Sequence, residues 1–196
     1  KINLPSSVSL IQDAAFSGCT TLRSIAIPDA VRELGFGVFG DCSSLSSVSL
    51  GQGLHSIGYS CFENCISLTE LTCPEGLDTI QSYAFDNCTA LAIVNLPSTL
   101  KTIGYGAFNK CSSLSRINIA EGNAYYSSIN GVLFNADKSE LILCPPSFRG
   151  GFTCPDKTLS ISAEAFSGCS GLSSINLGKV TAINDKAFLN CTSLTE

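Results

Sequence analysis

Phenylalanine recurs along this chain at a fixed spacing, and the residues around it repeat the same order of apolar and polar positions. A cysteine follows each of these phenylalanines by three residues, and a leucine follows each cysteine by three. The phenylalanines are Phe16, Phe39, Phe62, Phe85, Phe108, Phe166 and Phe188. The first five are 23 residues apart, and the next gaps are 58 and 22 residues. A period of this length predicts a solenoid, in which each repeat forms one turn of a coil.

Each of these leucines is followed by an alternating apolar pair, for example Val94 and Leu96 after Leu91. This alternation predicts a short strand with one buried face, and strands stacked about 4.8 Å apart would form a parallel sheet. We expect strand centres near Ile25, Val48, Leu71, Val94, Ile117 and Ile175. The segments before the phenylalanines, such as GYGAF (104–108), are too short and glycine-rich for a stable helix. They predict a single helical or 3₁₀ turn.

The 58-residue gap predicts an enlarged, irregular repeat over residues 120–155. Within it, Asn130-Gly131 lies between β-prone runs, which is a strong signal for a hairpin with a type I′ turn. The run LILC (141–144) predicts a further strand. We expect this insert to remain part of the solenoid, and a dedicated binding protrusion is the alternative.

Repeat units such as CSSLSSVSL (42–50) resemble the BspA-like leucine-rich repeats of bacterial and protist surface proteins. The resemblance covers nearly the whole chain. It implies a right-handed superhelix with short parallel strands on its concave face. It also implies an adhesion module that binds host proteins. We therefore expect residues 1–196 to form a single leucine-rich-repeat domain of seven repeats. We expect the chain to be a fragment of a longer secreted or cell-surface protein, with its targeting signal elsewhere.

The eleven cysteines occupy positions that suit a small apolar residue. Seven fill the same place in each repeat, while Cys73 and Cys154 end predicted strands. We expect buried, reduced thiols that pack as small hydrophobes. Disulfides between adjacent turns remain an alternative, because the turn spacing is close to the usual Cα separation of a disulfide. Zinc is disfavoured, because there is one histidine and no C-x-x-C spacing, and no cofactor is expected.

Composition and charge argue against several classes of function. The net charge of −5 and pI near 4.8 argue against nucleic acid or an anionic membrane as partner. No apolar run approaches the roughly 20 residues of a membrane span. Nucleophilic catalysis usually needs a histidine beside a serine or cysteine, and His55, the one histidine, falls in a turn region. We expect a surface-exposed His55 and a protein that is not an enzyme.

The outward positions of the predicted strands are small, polar and nearly uncharged, which suits protein contact better than a small-molecule pocket. The expected binding residues are Glu70, Thr72, Ile93, Asn95, Arg116 and Asn118. Among these six residues, Ile93 and Arg116 are the strongest candidates for a contact patch. Tyr125 and Tyr126 of the insert form the alternative site.

Two functions remain open on this sequence. The first is a protein-interaction module that binds a host or neighbouring-cell protein as a monomer. The second is a structural spacer within a larger surface protein, with no ligand of its own. NCT at 87–89 and 190–192 matches the acceptor pattern for N-glycosylation, but it coincides with the repeated cysteines and is expected to reflect the repeat alone.

Overall fold

The computed structural model describes residues 2–195, and these contain sixteen short strands and no helix. The strands are β1 Ser24–Ala26, β2 Glu33–Leu34, β3 Ser47–Ser49, β4 Ser56–Ile57, β5 Glu70–Thr72, β6 Thr79–Ile80, β7 Ile93–Leu96, β8 Thr102–Ile103, β9 Arg116–Ile119, β10 Tyr126–Ile129, β11 Val132–Asn135, β12 Glu140–Leu143, β13 Arg149–Thr153, β14 Ser160–Ile161, β15 Gly171–Asn176 and β16 Ala182–Ile183. Each regular repeat contributes one longer and one two-residue strand. The chain is therefore a coil of stacked turns.

The predicted strands are confirmed, and they pair in parallel with the register that the repeat requires. Leu71 lies beside Val94, and Val94 beside Ile117, so equivalent apolar residues form a row under the sheet. β1 pairs with β3 and β13 with β15 in the same manner. Val48, predicted as core, is only half-buried.

A second row of parallel strands, not predicted from the sequence, runs along the coil. β2, β4, β6 and β8 pair through their apolar residues Leu34, Ile57, Ile80 and Ile103. Leu34, Ile57 and Ile80 are buried, and Ile103 is half-buried. Two residues are too few to show the alternation by which a strand is recognised in sequence.

The predicted helical or 3₁₀ turns before the phenylalanines are wrong, because these segments are hydrogen-bonded turns. In residues 82–88, Tyr83 and Asn87 have φ values of 57° and 58°, on either side of residues with negative φ. A helix cannot propagate through residues in the left-handed region. The chain instead forms successive tight turns closed by bonds such as Cys88 N–H to Phe85 O, 3.2 Å.

The insert contains the predicted hairpin. β10 and β11 are antiparallel, and they are joined by Asn130 and Gly131 with φ values of 53° and 83°. β12, which begins at Glu140, pairs antiparallel with β11 and then parallel with β14. After the insert the chain returns to the regular register, with Phe152 beside Ile175.

The interior of the coil is a column of aromatic rings. The first five repeated phenylalanines stack face to face with ring centroids 5.1 to 5.6 Å apart. The column is interrupted at the insert and resumes at Phe166 and Phe188, 5.0 Å apart. The buried side chains accordingly form two clusters that meet at β11, where Leu133 belongs to the first and Val132 to the second.

Candidate functional site

The outward side chains of β5, β7 and β9 form the surface called the strand face here. Its first row consists of Glu70, Ile93 and Arg116, which are register partners on successive strands. Its second row is Thr72, Asn95 and Asn118. The six residues predicted from the sequence therefore lie side by side on three adjacent strands.

Hydrogen bonds fix the second row of the strand face. Asn118 Nδ2 donates to Asn95 Oδ1 at 2.8 Å, and Asn95 Nδ2 donates to Thr72 Oγ1 at 3.2 Å. Asn95 Nδ2 also lies 3.3 Å from Oε1 of Glu70. These amides bond to one another across the strands, so this row is rigid and its orientation is set before any partner arrives.

The side chains of the first row are more exposed than those of the second row, and they form fewer hydrogen bonds. Ile93 is 37% exposed, and its neighbours in the row are Glu70 and Arg116. Within residues 2–195, Arg116 forms no ion pair. A Cβ at Gly131 would lie 3.0 Å from Arg116 Cα and Cγ, so the hairpin packs closely against this arginine. The row offers an apolar side chain beside a guanidinium with free donors.

The two tyrosines of the alternative site have different surroundings. Tyr125 is 50% exposed at the start of the insert. Tyr126 is half-buried, and its hydroxyl accepts a hydrogen bond from Ile103 N at 3.0 Å. Burial raises the pKa of Tyr126. Tyr126 thus caps the second strand row where β8 ends, and Tyr125 alone presents a free aromatic surface.

The repeated cysteines form a ladder along the interior, and all eleven cysteines are free thiols. Sγ of Cys88 donates to the carbonyl of Phe62 at 3.1 Å, and Cys111 makes the same bond to Phe85 at 3.2 Å. Burial raises the pKa of Cys42 to about 11 and that of Cys111 to about 12. These thiols stay protonated and unreactive, as the packing interpretation predicts, although the terminal Cys19 and Cys191 are only half-buried.

An aromatic ridge is the surface feature that sequence reasoning missed. Phe36, Tyr59, Tyr83 and Tyr105 follow one another with ring centroids 5.7 Å apart. Three of them share one position in the repeat and are exposed, whereas Tyr83 comes one residue late, after Ser82. The irregular spacing hid the series, and only the fold shows that the ring of Tyr83 fills the gap.

The described residues offer few other candidates for a catalytic or metal site. His55 is exposed, as predicted, and its Nδ1 lies 2.9 Å from the carbonyl oxygen of Gly76. No cluster of three potential metal ligands occurs among residues 2–195. Over the same residues there is no helix with the length and apolarity to cross a membrane.

The sequence of the repeats matches a known family model. A sequence model described as "BspA type Leucine rich repeat region (6 copies)" matches residues 1–115, 33–149 and 150–196. No curated protein sequence matches the chain.

Several solved structures share this fold. A leucine-rich repeat protein from Bacteroides ovatus matches with a TM-score of 0.73 and 26% identity, over 99% of this chain and 53% of that one. A leucine-rich cell surface protein from Faecalibacterium prausnitzii matches with a TM-score of 0.68 and 27% identity, over 95% and 57%. The pneumococcal vaccine antigen PcpA matches with a TM-score of 0.70 and 25% identity, over 88% and 49%. The chain spans about half the length of these relatives.

Proposed function

This chain belongs to the BspA-type leucine-rich repeat family, and from that premise we propose that it is a protein-interaction module of a surface-exposed protein. The module binds a protein of a host or neighbouring cell through the strand face. The likeness to a vaccine antigen and to a cell surface protein supports the surface location. Family and fold point to binding and not to catalysis.

The observation that carries the proposal is the alignment of six side chains on three adjacent strands. A stable protein interface covers roughly 800 Å² of each partner. One strand with two outward side chains is too small for this, whereas the rows Glu70–Ile93–Arg116 and Thr72–Asn95–Asn118 extend over neighbouring turns. Arg116 is the expected dominant residue, because arginine is enriched at interface hot spots while serine and threonine are not.

The proposal is tested by binding of the chain to immobilised host extracellular-matrix and cell-surface proteins. We expect Arg116→Glu to lose binding, because it reverses the charge of the one basic side chain in the first row. Lys186→Glu is the matched control: it makes the same change of charge at an exposed turn residue away from the strand face.

Three results would contradict the proposal. Equal loss in both variants would indicate non-specific electrostatics. Loss only in a Tyr125→Ala variant would move the site to the insert. Absence of any protein ligand for the wild-type chain would favour the structural spacer.

We further propose that residues 1–196 act as one repeat domain and that the chain is monomeric. The pairing of β12 with β14 and of β14 with β16 supports a continuous array, because the insert is hydrogen-bonded to the turns after it. Light scattering over a range of protein concentrations measures the state of association directly.

A further inference from the structure

The seven-residue segments that end at the repeated cysteines, called turn segments here, form a backbone ladder of their own. They are residues 13–19, 36–42, 59–65, 82–88, 105–111, 163–169 and 185–191. In five of the seven, the second, fourth and sixth N–H groups donate to the first, third and fifth carbonyls of the next segment. Tyr83, Phe85 and Asn87, for example, donate to Tyr105, Ala107 and Asn109. These bonds measure 2.7 to 3.2 Å throughout.

Among the described residues, segments 105–111 and 185–191 lack this set of bonds, and only the first of them has a later turn segment in the described chain to which it could bond. The N–H groups of Gly106, Phe108 and Lys110 occupy the donating positions of segment 105–111, yet none has an acceptor within residues 2–195. Phe108 itself is only 4% exposed. Three aligned backbone donors without partners form an open edge, which is the feature by which a strand edge recruits another chain.

Segment 163–169 faces this edge with carbonyl groups. Its first and fifth carbonyls, of Ala163 and Ser167, receive no hydrogen bond from the described part of the chain. The middle carbonyl, of Ala165, accepts a bond of 2.7 Å from Cys144 of the insert. Pro145 and Pro146 follow Cys144 and have no N–H to donate. The insert thus bonds to one of the three carbonyls and leaves the other two without a donor among the described residues.

A cleft of about 480 Å³ lies between the two segments, within the range of roughly 300–1,000 Å³ that ligand sites occupy. Leu133, Ile142 and Leu143 line it with apolar surface. Lys110 of segment 105–111 and Ser112, which directly follows that segment, also line it. Across the mouth, the hydroxyl of Tyr105 donates to Oε1 of Glu164 at 3.2 Å. The last ring of the aromatic ridge therefore stands at the entrance.

We propose that this cleft binds a short peptide segment of another protein, which takes the place of the missing turn segment. Alternate carbonyls of the peptide accept hydrogen bonds from Gly106, Phe108 and Lys110. An apolar side chain of the peptide packs on Leu133 and Ile142. Backbone pairing supplies affinity and the apolar surface supplies selectivity, as in the addition of a peptide to an open sheet edge. The site is separate from the strand face.

The chain itself supplies the probe. Residues 81–87, QSYAFDN, place the carbonyls of Ser82, Ala84 and Asp86 where the preceding turn segment binds them. A fluorescent synthetic peptide of this sequence therefore has the required acceptors and an apolar side chain. We expect saturable binding to the full chain, measured by fluorescence anisotropy.

Two variants provide a matched pair. Ser167 lines the cleft, whereas Ser17 has the same position and the same neighbours, AFSGC, in a turn segment away from it. We expect Ser167→Trp to weaken peptide binding by about tenfold or more, because the indole fills the cleft, a loss of about 1.4 kcal/mol. Ser17→Trp should bind as wild type. Arg116→Glu should also bind as wild type, so failure at the strand face and failure at the cleft are distinguishable.

Hydrogen exchange on the wild-type chain gives an independent test that does not depend on the folding of a variant. Bound peptide should slow exchange of the amides of Gly106, Phe108 and Lys110. It should leave Tyr83, Phe85 and Asn87 unchanged, because these amides are already bonded. Three results would overturn the proposal: no saturable binding, equal binding by Ser167→Trp, or slowed exchange that appears without peptide as protein concentration rises. The last would assign the cleft to a second copy of the chain.

Discussion

The repeated cysteine serves the fold in two ways at the level of the single residue. It is small and apolar enough to be buried at Cys65, Cys88 and Cys111, and its thiol donates to the phenylalanine carbonyl of the preceding turn. Each of these carbonyls also accepts a backbone N–H, as Phe85 O does from Cys88 at 3.2 Å, so the thiol adds a second hydrogen bond to the same oxygen. Alanine would fill the space without donating, which explains why a thiol suits the position.

The raised thiol pKa values predict that alkali destabilises the protein. Burial raises the pKa of Cys42 to about 11 and of Cys111 to about 12, against 9.0 for an unperturbed thiol. The unfolded chain loses these protons at lower pH than the folded chain. This contribution to stability is therefore complete below a pH of about 9 and is lost as the pH rises toward 11 or 12. Urea unfolding under reducing conditions at increasing alkaline pH should show a falling free energy of unfolding.

The control for this prediction is the double variant Cys42→Ala/Cys111→Ala. Its stability at neutral pH will be lower, but its loss of stability with pH should be shallower than that of wild type. A free energy of unfolding that is constant or rises over this pH range would contradict the burial of these thiols in their protonated form.

Elements in this protein are short, and each is stable only through its neighbours. The two-residue strands β6 and β8 pair through Ile80 and Ile103 and would not exist alone. The insert is the exception, because a tight local turn sets the pairing of β10 with β11. Gly131 combines a φ of 83° with close contact to Arg116.

Gly131→Ala should lower the free energy of unfolding by more than about 1 kcal/mol, because Cβ is disfavoured both by the positive φ and by the contact with Arg116. Gly122→Ala is the control, since Gly122 has a similar φ of 84° with no atom within 4 Å of an added Cβ. Chemical denaturation of both variants measures the difference. Equal losses would show that the hairpin does not pack tightly on the strand face.

The whole molecule is a series of turns in which each turn contacts its neighbours. Its core divides at the insert into two clusters that meet at β11. Phe85 stacks in the middle of the first cluster, and Phe166 lies in the second beside Phe188. Stability in such an array is approximately a sum of turn and interface contributions, so damage to one part need not spread evenly.

Phe85→Ala and Phe166→Ala should each cost about 3–5 kcal/mol locally, the usual range for a buried phenylalanine. Hydrogen exchange should accelerate mainly before the insert in the first variant and mainly after it in the second. Ser47→Ala, an exposed change on β3, should stay within about 0.5 kcal/mol of wild type. The same acceleration along the entire chain in both variants would indicate a single cooperative unit and contradict the division.

The repeat made most of the fold predictable. Equivalent positions such as Leu71, Val94 and Ile117 must face the same interior once the chain coils, so the positions and register of the longer strands and the burial of most cysteines followed from periodicity, whereas the second row of strands did not. The hairpin was predictable because Asn130-Gly131 is a local signal. The turn segments were predicted as helical or 3₁₀. Their sixth positions are mostly glycine, asparagine or aspartate, which favour positive φ, but residues such as Tyr83 at the second position carry no such signal.

The sequence by itself therefore determined the solenoid, the two rows of outward side chains on β5, β7 and β9 and the presence of an irregular insert. Only the tertiary structure decided which contacts form between turns. The bond from Ile103 to Tyr126, the place of Tyr83 in the aromatic ridge and the open donors of Gly106, Phe108 and Lys110 all depend on which residues lie one turn apart. The 58-residue gap gave the size of the insert. Its path in space, with prolines beside the cleft, left the donors of segment 105–111 without acceptors among the described residues.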